Sequence, residues 1–165
     1  MEQINIDATD VKLLDALQID ASLSNQALAG LVHISPPTCL RRIKRLRDAG
    51  LVERVVAILD PEKLAKVMGH GLTAIVEITL DRQGDEHLRA FEQRVGGDSA
   101  VQQCYRVSPG PDFVLIVQVG DMPSYSALSQ RLFTGDANVR NVKAFFSVKR
   151  AKFEPKIGLK VPLGQ

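Results

Sequence analysis

The chain has 165 residues, of which 45% are hydrophobic and 24% charged, with 21 Lys and Arg against 19 Asp and Glu. That balance excludes a disordered or collagen-like chain, and the length allows one medium domain or two small ones that lean on a partner surface for burial. No stretch approaches the ~20 apolar residues of a membrane helix, and Met1–Asp7 lack the basic-then-apolar run of a signal peptide, so a cytoplasmic protein is expected.

Helical spacing of Val11, Leu14, Ala16 and Leu17 predicts a first amphipathic helix over Asp10–Ile19, with Asp7 or Asp10 available as its cap. Ser24 fits the N-cap of a short second helix that runs to Leu31 or Val32, with Leu23 stapled on Leu28. Pro36 disfavours a helical Ser35 but suits the first position of a third helix, which Ser35 would cap and Ala49-Gly50 would stop. This helix is expected to bury Cys39 or Leu40 with Ile43 and Leu46. It carries five cations in the seven residues Arg41–Arg47, although residues 1–60 hold seven cations against eight anions. A dense stripe in an otherwise acidic region suits a surface that meets phosphates, while a solvated helix face is the competing reading.

Helix, short turn and cap-initiated basic helix is the order that places a second helix in the DNA major groove. Thr38, Arg41 and Arg42 are candidates for base edges, with Ser35 at the helix start. Lys44 and Arg45 suit phosphates, as does Arg47 unless it pairs locally. After Gly50, the β-branched run Leu51–Leu59 reads as a short wing or an exit strand.

Asp60-Pro61 and Met68-Gly69-His70-Gly71 mark a boundary. The expected division is a winged helix-turn-helix domain over residues 1–60, a linker over 61–71 and a second domain over 72–165. The second domain begins with a strand, Leu72–Leu80. A helix with Leu88, Phe91 and Val95 on one face follows, ended by Gly96-Gly97. Strands Ala100–Val107 and Phe113–Val119 flank a turn too short for a parallel crossover, and a helix with Tyr125, Leu128 and Leu132 leads to a last strand, Val139–Val148. The fold class is thus α+β, with the βαββαβ order of a ferredoxin-like sandwich. Its two helices cover one sheet face, and a second copy is the natural cover for the other. A twofold dimer would then present two reading helices to a palindromic double-stranded site.

The pattern Ile6-Asp7, Asp10, Leu13-Leu14, Leu17-Gln18, Leu28-Ala29, Ser35, Thr38, Arg42-Ile43, Arg45-Leu46, Ala49-Gly50 and Leu59-Asp60-Pro61 resembles the Lrp/AsnC family of transcription regulators. Val76–Leu80, Asp112-Phe113 and Asp121-Met122 with Tyr125 extend the likeness over nearly the whole chain. The resemblance implies a ligand-sensing second domain, dimers that assemble into octamers or similar rings, and a free amino acid as effector, with no other cofactor. It directs attention to Ser108, Gly110 and Asp112. Asp112 would accept from an ammonium and exposed amides of Ser108–Pro111 would serve a carboxylate, although Pro109 and Pro111 lack a donor. A turn-stabilising Asp112 is the competing reading.

Three departures from the family pattern bear on that site or its setting. Ser22 stands where Arg is usual, Pro109 replaces the glycine three positions before Asp112, and Asn138-Val139 replaces Gly-Val, with Val142 and Ala144 where hydroxyls are common.

No catalytic constellation is visible, since His33, His70 and His87 are scattered and neither Cys39 nor Cys104 has a base or a CxxC partner beside it. The cysteines are expected to be reduced thiols, and no metal site is expected. An architectural DNA protein without effector is the main alternative. An RNA-binding sheet has only Tyr105 and Phe113 to offer as stacking aromatics.

Overall fold

The structure is a computed structural model that describes residues 5–160 except 70, so Met1–Ile4 and His70, both used in the sequence reading, lie outside the described residues. Two compact units are present. One comprises the chain up to Ile58 together with the tail from Lys152, and the other spans Leu59–Ala151.

The first unit is built from α1 (Ala8–Ile19), α2 (Asn25–Leu31) and α3 (Pro36–Asp48). Both candidate caps of α1 are used. Asp10 N–H donates to the Asp7 carboxylate at 2.9 Å and Asp7 N–H donates back to Asp10 at 3.1 Å, which closes a capping box. Ser24 caps α2 by accepting from Ala27 N–H at 3.2 Å. The turn after α2 is closed by His33 N–H to Gly30 C=O (3.3 Å) and Ile34 N–H to Ala29 C=O (3.0 Å). This pairing requires a left-handed residue, and His33 takes it with φ 56°. Ser35 stands at the N-cap of α3 but makes no side-chain cap bond. Pro37 at the second helical position has no N–H to offer, and the Ser35 hydroxyl instead pairs with that of Thr38 at 2.8 Å. The same left-handed closure ends α3, where Gly50 (φ 73°) and Leu51 donate to the carbonyls of Arg47 and Leu46. Leu13, Leu28, Ala29, Val32, Cys39, Ile43 and Leu46 form the core, so Cys39 is the buried alternative and Leu40 is 60% exposed.

Residues 51–59 form neither helix nor strand and belong to no sheet; Leu51–Val56 and Ile58 line a groove together with Pro155, Ile157 and Leu159 of the tail, without a strand ladder between them. The expected wing or exit strand is therefore unpaired chain. The tail also differs from the expected 72–165 domain: it returns to α1 of the first unit. Gln18 and Ile157 exchange two hydrogen bonds, side-chain amide to C=O at 3.1 Å and N–H to side-chain oxygen at 2.7 Å, and Lys156 pairs with Asp15 at 3.4 Å.

In the second unit, the segment expected as linker holds a helix, α4 (Pro61–Met68). Asp60 accepts from the N–H groups of Glu62 (3.0 Å) and Lys63 (3.1 Å), and Pro61 supplies the preset φ of a first helical position. The Asp60-Pro61 pair is a helix start as much as a strand end. Strands β1 (Leu72–Leu80), β2 (Val101–Arg106), β3 (Phe113–Val119) and β4 (Val139–Phe146) form one antiparallel sheet in the order β2-β3-β1-β4. Helices α5 (Asp85–Gly96) and α6 (Met122–Ser129) complete the βαββαβ order. Ala74, Val76, Ile78 and Leu80 alternate into a core shared with Phe113, Leu115, Val117, Phe91, Val95, Tyr125, Leu128, Leu132 and Phe133. Phe91 and Phe113 stack there with centroids 4.7 Å apart. A single wide turn, Gln130–Thr134, extends α6 and closes through Gly135 N–H to Gln130 C=O at 3.0 Å. A Cβ at Gly135 would stand 2.6 Å from that oxygen, so only glycine fits. Opposite the helices, Ile75 pairs with Ile116 and with Phe145, leaving an apolar sheet face on which Ile75 is 39% and Phe145 44% exposed.

The connection between β2 and β3 is pinned to the end of β1. Asp112 N–H donates to Ile78 C=O at 2.8 Å, and its carboxylate accepts from Leu80 N–H at 2.7 Å. Asp112→Ala would leave the Leu80 N–H without its acceptor, and a loss of about 1–2 kcal/mol is expected in denaturant unfolding followed by circular dichroism. Unchanged stability would show that the contact contributes nothing.

Candidate nucleic-acid interface and sensing loop

On an α-helix, residues four and seven apart share a stripe. In α3 the stripe Thr38, Arg42, Arg45 turns toward the start of α1. Arg42 Nη1 donates to Asp7 at 2.7 Å and to Asp10 at 2.9 Å, and Arg45 pairs with the other oxygen of Asp10. The Asp10 side chain is fully buried, while Asp7 and Arg45 remain about half exposed. A buried carboxylate is costly unless it is paired and hydrogen-bonded, and here both oxygens are taken. Asp7 is held below the usual carboxylate range, first by the Asp10 N–H and then by the Arg42 guanidinium. The same two carboxylates raise the Arg42 pKa further, so its charge is fixed.

The neighbouring stripe, Pro37, Arg41, Lys44 and Asp48, faces solvent with Leu40 and Arg47 at its edges. Among the described residues Arg41, Lys44 and Arg47 carry no ion pair. The structure thus divides the predicted DNA-contact set. Arg41 and Lys44 are exposed on the outward face, whereas the guanidiniums of Arg42 and Arg45 are committed to α1 and orient the helix that carries the others. Ser35 and Thr38 sit at the helix start, bonded to each other. Asn25 Nδ2 donates to Pro36 C=O at 2.8 Å, which joins the start of α2 to the start of α3. Leu40 was not among the predicted contacts, yet an exposed apolar side chain on this face suits a thymine methyl. The missing signal was the packing of α1 on α3, since which cations meet Asp7 and Asp10 is not a local property of the run.

In the second unit Ser108 and Gly110 lie exposed in the turn before β3, with Gly110 at φ 123° and a cis Ser108-Pro109 bond. Asp112 has one carboxylate oxygen on Leu80 N–H and no hydrogen bond to the other among the described residues. The turn-stabilising role is therefore real, and one acceptor remains. The Asn138 departure also has a structural role: its side chain accepts from Arg82 N–H at 2.9 Å and donates to Arg82 C=O at 3.2 Å, tying the approach to β4 to the end of β1. Val142 and Ala144 pack against the sheet core. Ser22 takes a local turn, with its N–H and hydroxyl both donating to Asp20. Burial raises both thiol pKa values, and at Cys104 the nearby Glu92 adds to the effect. Neither site resembles an activated nucleophile. Among the described residues no three His, Cys, Asp or Glu side chains converge as a metal site would need, and no helix is long and apolar enough to cross a membrane.

Residues 6–47 match the AsnC-type helix-turn-helix domain and residues 73–157 the Lrp/AsnC ligand binding domain. The DNA-binding transcriptional activator DecR of Escherichia coli is 36% identical over 148 residues, which cover 90% of this chain and 95% of that protein. The leucine-responsive regulatory protein of Rhizobium meliloti is 31% identical over 91% of this chain and 94% of its own length. Among solved structures, a Neisseria meningitidis transcriptional regulator in complex with L-Met superposes with a TM-score of 0.77 at 29% identity, covering 93% of this chain and 97% of that one. These relatives are transcriptional regulators, which are not enzymes. With both domain matches and relatives aligned along nearly its whole length, the chain belongs to the Lrp/AsnC family of transcriptional regulators.

Proposed function

We propose that the protein regulates transcription by inserting the outward face of α3 into the major groove of a palindromic site, as a twofold dimer, in the cytoplasm. The observation that carries this reading is the division of α3's cations. Two are bound to buried or half-buried carboxylates and fix the helix, and three are exposed and carry no ion pair among the described residues. Arg41 and Lys44 are the base-reading candidates, Leu40 the apolar contact, and Arg47 a phosphate contact; Ser35 and Thr38 approach the backbone at the helix start. Arg42 and Arg45 act through helix placement. The open apolar face around Ile75, Ile116 and Phe145 supports self-association, because a second copy would remove it from water. Further assembly of dimers into octamers belongs to the same proposal.

We also propose that a free amino acid is the effector. The ligand-binding domain match and the L-Met complex of the Neisseria relative support that class. Ser108 and Gly110 offer exposed backbone near the free oxygen of Asp112, which suits a ligand carrying both a carboxylate and an ammonium.

With a site selected from a random duplex pool, Arg41→Ala is expected to weaken binding by about 1–3 kcal/mol, roughly 10- to 100-fold, and to relax preference at one base position. Arg42→Ala is expected to lower the unfolding midpoint first. Unaltered selectivity in the Arg41 variant would remove it from the reading face, and equal affinity of the parent protein for all duplexes would favour an architectural role. Thermal unfolding against each of the twenty amino acids is expected to show stabilisation by one or a few, about 2.7 kcal/mol at 100 times the dissociation constant. No response to any of them would refute the amino-acid effector.

A further inference from the structure

The stretch Arg140–Lys160 holds seven of the chain's 21 cations but only one of its 19 anions, Glu154, whereas the remaining residues carry more anions than cations. This second basic run was not used by the reading of α3. It is also not left to trail in solvent. From Lys152 onward the tail is part of the DNA-binding unit, held on α1 by the Gln18–Ile157 pair of hydrogen bonds and the Lys156–Asp15 ion pair. Pro155, Ile157 and Leu159 line a groove with Leu14 and Leu17 of α1. Only Leu159 is half-buried there and Ile157 stays 68% exposed, so the hydrogen bonds and the ion pair hold the tail, which carries lysines at every fourth position, Lys152, Lys156 and Lys160.

Lys156 is engaged by Asp15, but among the described residues Lys152 and Lys160 are exposed and carry no ion pair. The tail has neither helix nor strand, and the eight residues from Lys152 to Lys160 let their Cα atoms stand at most about 28 Å apart. That span approaches one turn of B-DNA, about 34 Å.

We propose that the tail Lys152–Lys160 is a second DNA-contacting element of the first unit, a docked basic arm that meets backbone phosphates outside the groove occupied by α3. It rests on the reading of α3 as a DNA-binding helix. The chemistry it recognises is the duplex phosphate backbone, so it adds affinity and salt dependence without sequence preference. Because the arm is anchored at Gln18 and Asp15, DNA binding does not have to order it from a random coil, and its lysines keep a fixed position relative to α1.

The test is the salt dependence of binding to a 40-bp mixed-sequence duplex, measured by fluorescence anisotropy on the full chain. Each phosphate neutralised contributes about 0.9 to the slope of log affinity against log salt concentration. Lys152→Gln with Lys160→Gln is expected to make the slope shallower by about 1.8, with the thermal midpoint unchanged and the site preference of the parent retained. Lys152→Arg with Lys160→Arg is expected to restore the parent slope. If the parent binds the duplex and the double Gln variant keeps the parent slope, the arm is refuted while the α3 reading stands. If the parent shows no salt-dependent binding at all, the α3 reading fails first.

Discussion

The first unit depends on one buried carboxylate. Asp10 is fully enclosed, and its cost in that environment is offset only because the Asp7 backbone, Arg42 and Arg45 satisfy it together. The cluster does two things at once. It closes the start of α1 through the capping box, and it fixes the rotation of α3 about its own axis, since Arg42 and Arg45 reach α1 only from one side of the helix. The rotation decides which residues face outward. Arg41, Lys44 and Leu40 face outward while Arg42 and Arg45 are held, so the contact with α1 sets the composition of the proposed reading surface.

The two units follow different physical logic. The helical unit is small, with a core of seven buried side chains, and it relies on caps, left-handed helix ends at His33 and Gly50, and an ion cluster to hold its geometry. The sheet unit relies on alternation and aromatic packing, with Phe91 stacked on Phe113 and the turn before β3 tied to β1 through Asp112. The turn before β3, the candidate effector loop, is therefore attached to the central strand rather than hung at the edge. Any ligand that engages the second oxygen of Asp112 would act on a residue already bonded to the sheet, which gives a direct mechanical route from loop to strand pairing.

Much of this was legible in the sequence. Ser24, Pro36, Gly50 and the apolar spacing placed three helices, and the strand alternation with its turn lengths gave the βαββαβ order. What escaped had specific causes. The helix after Asp60-Pro61 was read as linker because its apolar positions, Leu64, Val67 and Met68, are few and stay exposed in this chain. The run 51–59 has strand composition but pairs with no strand among the described residues, and pairing is not a local property. The tail's return to α1 depends on contacts between residues 139 apart in sequence. In the candidate site, the five cations within Arg41–Arg47 could not be sorted into outward-facing residues and holders until the acidic partners on α1 were placed.

Arg42 is paired with Asp10 while its neighbour Arg41 is not, a difference that a pair of double-mutant cycles measures. Asp10→Asn would be combined with Arg42→Gln and, separately, with Arg41→Gln, each measured by urea unfolding. A coupling of about 1–3 kcal/mol is expected in the first cycle and a value within about 0.5 kcal/mol of zero in the second. A negligible coupling for Arg42, or an equal one for Arg41, would contradict the division of α3 on which the functional reading stands.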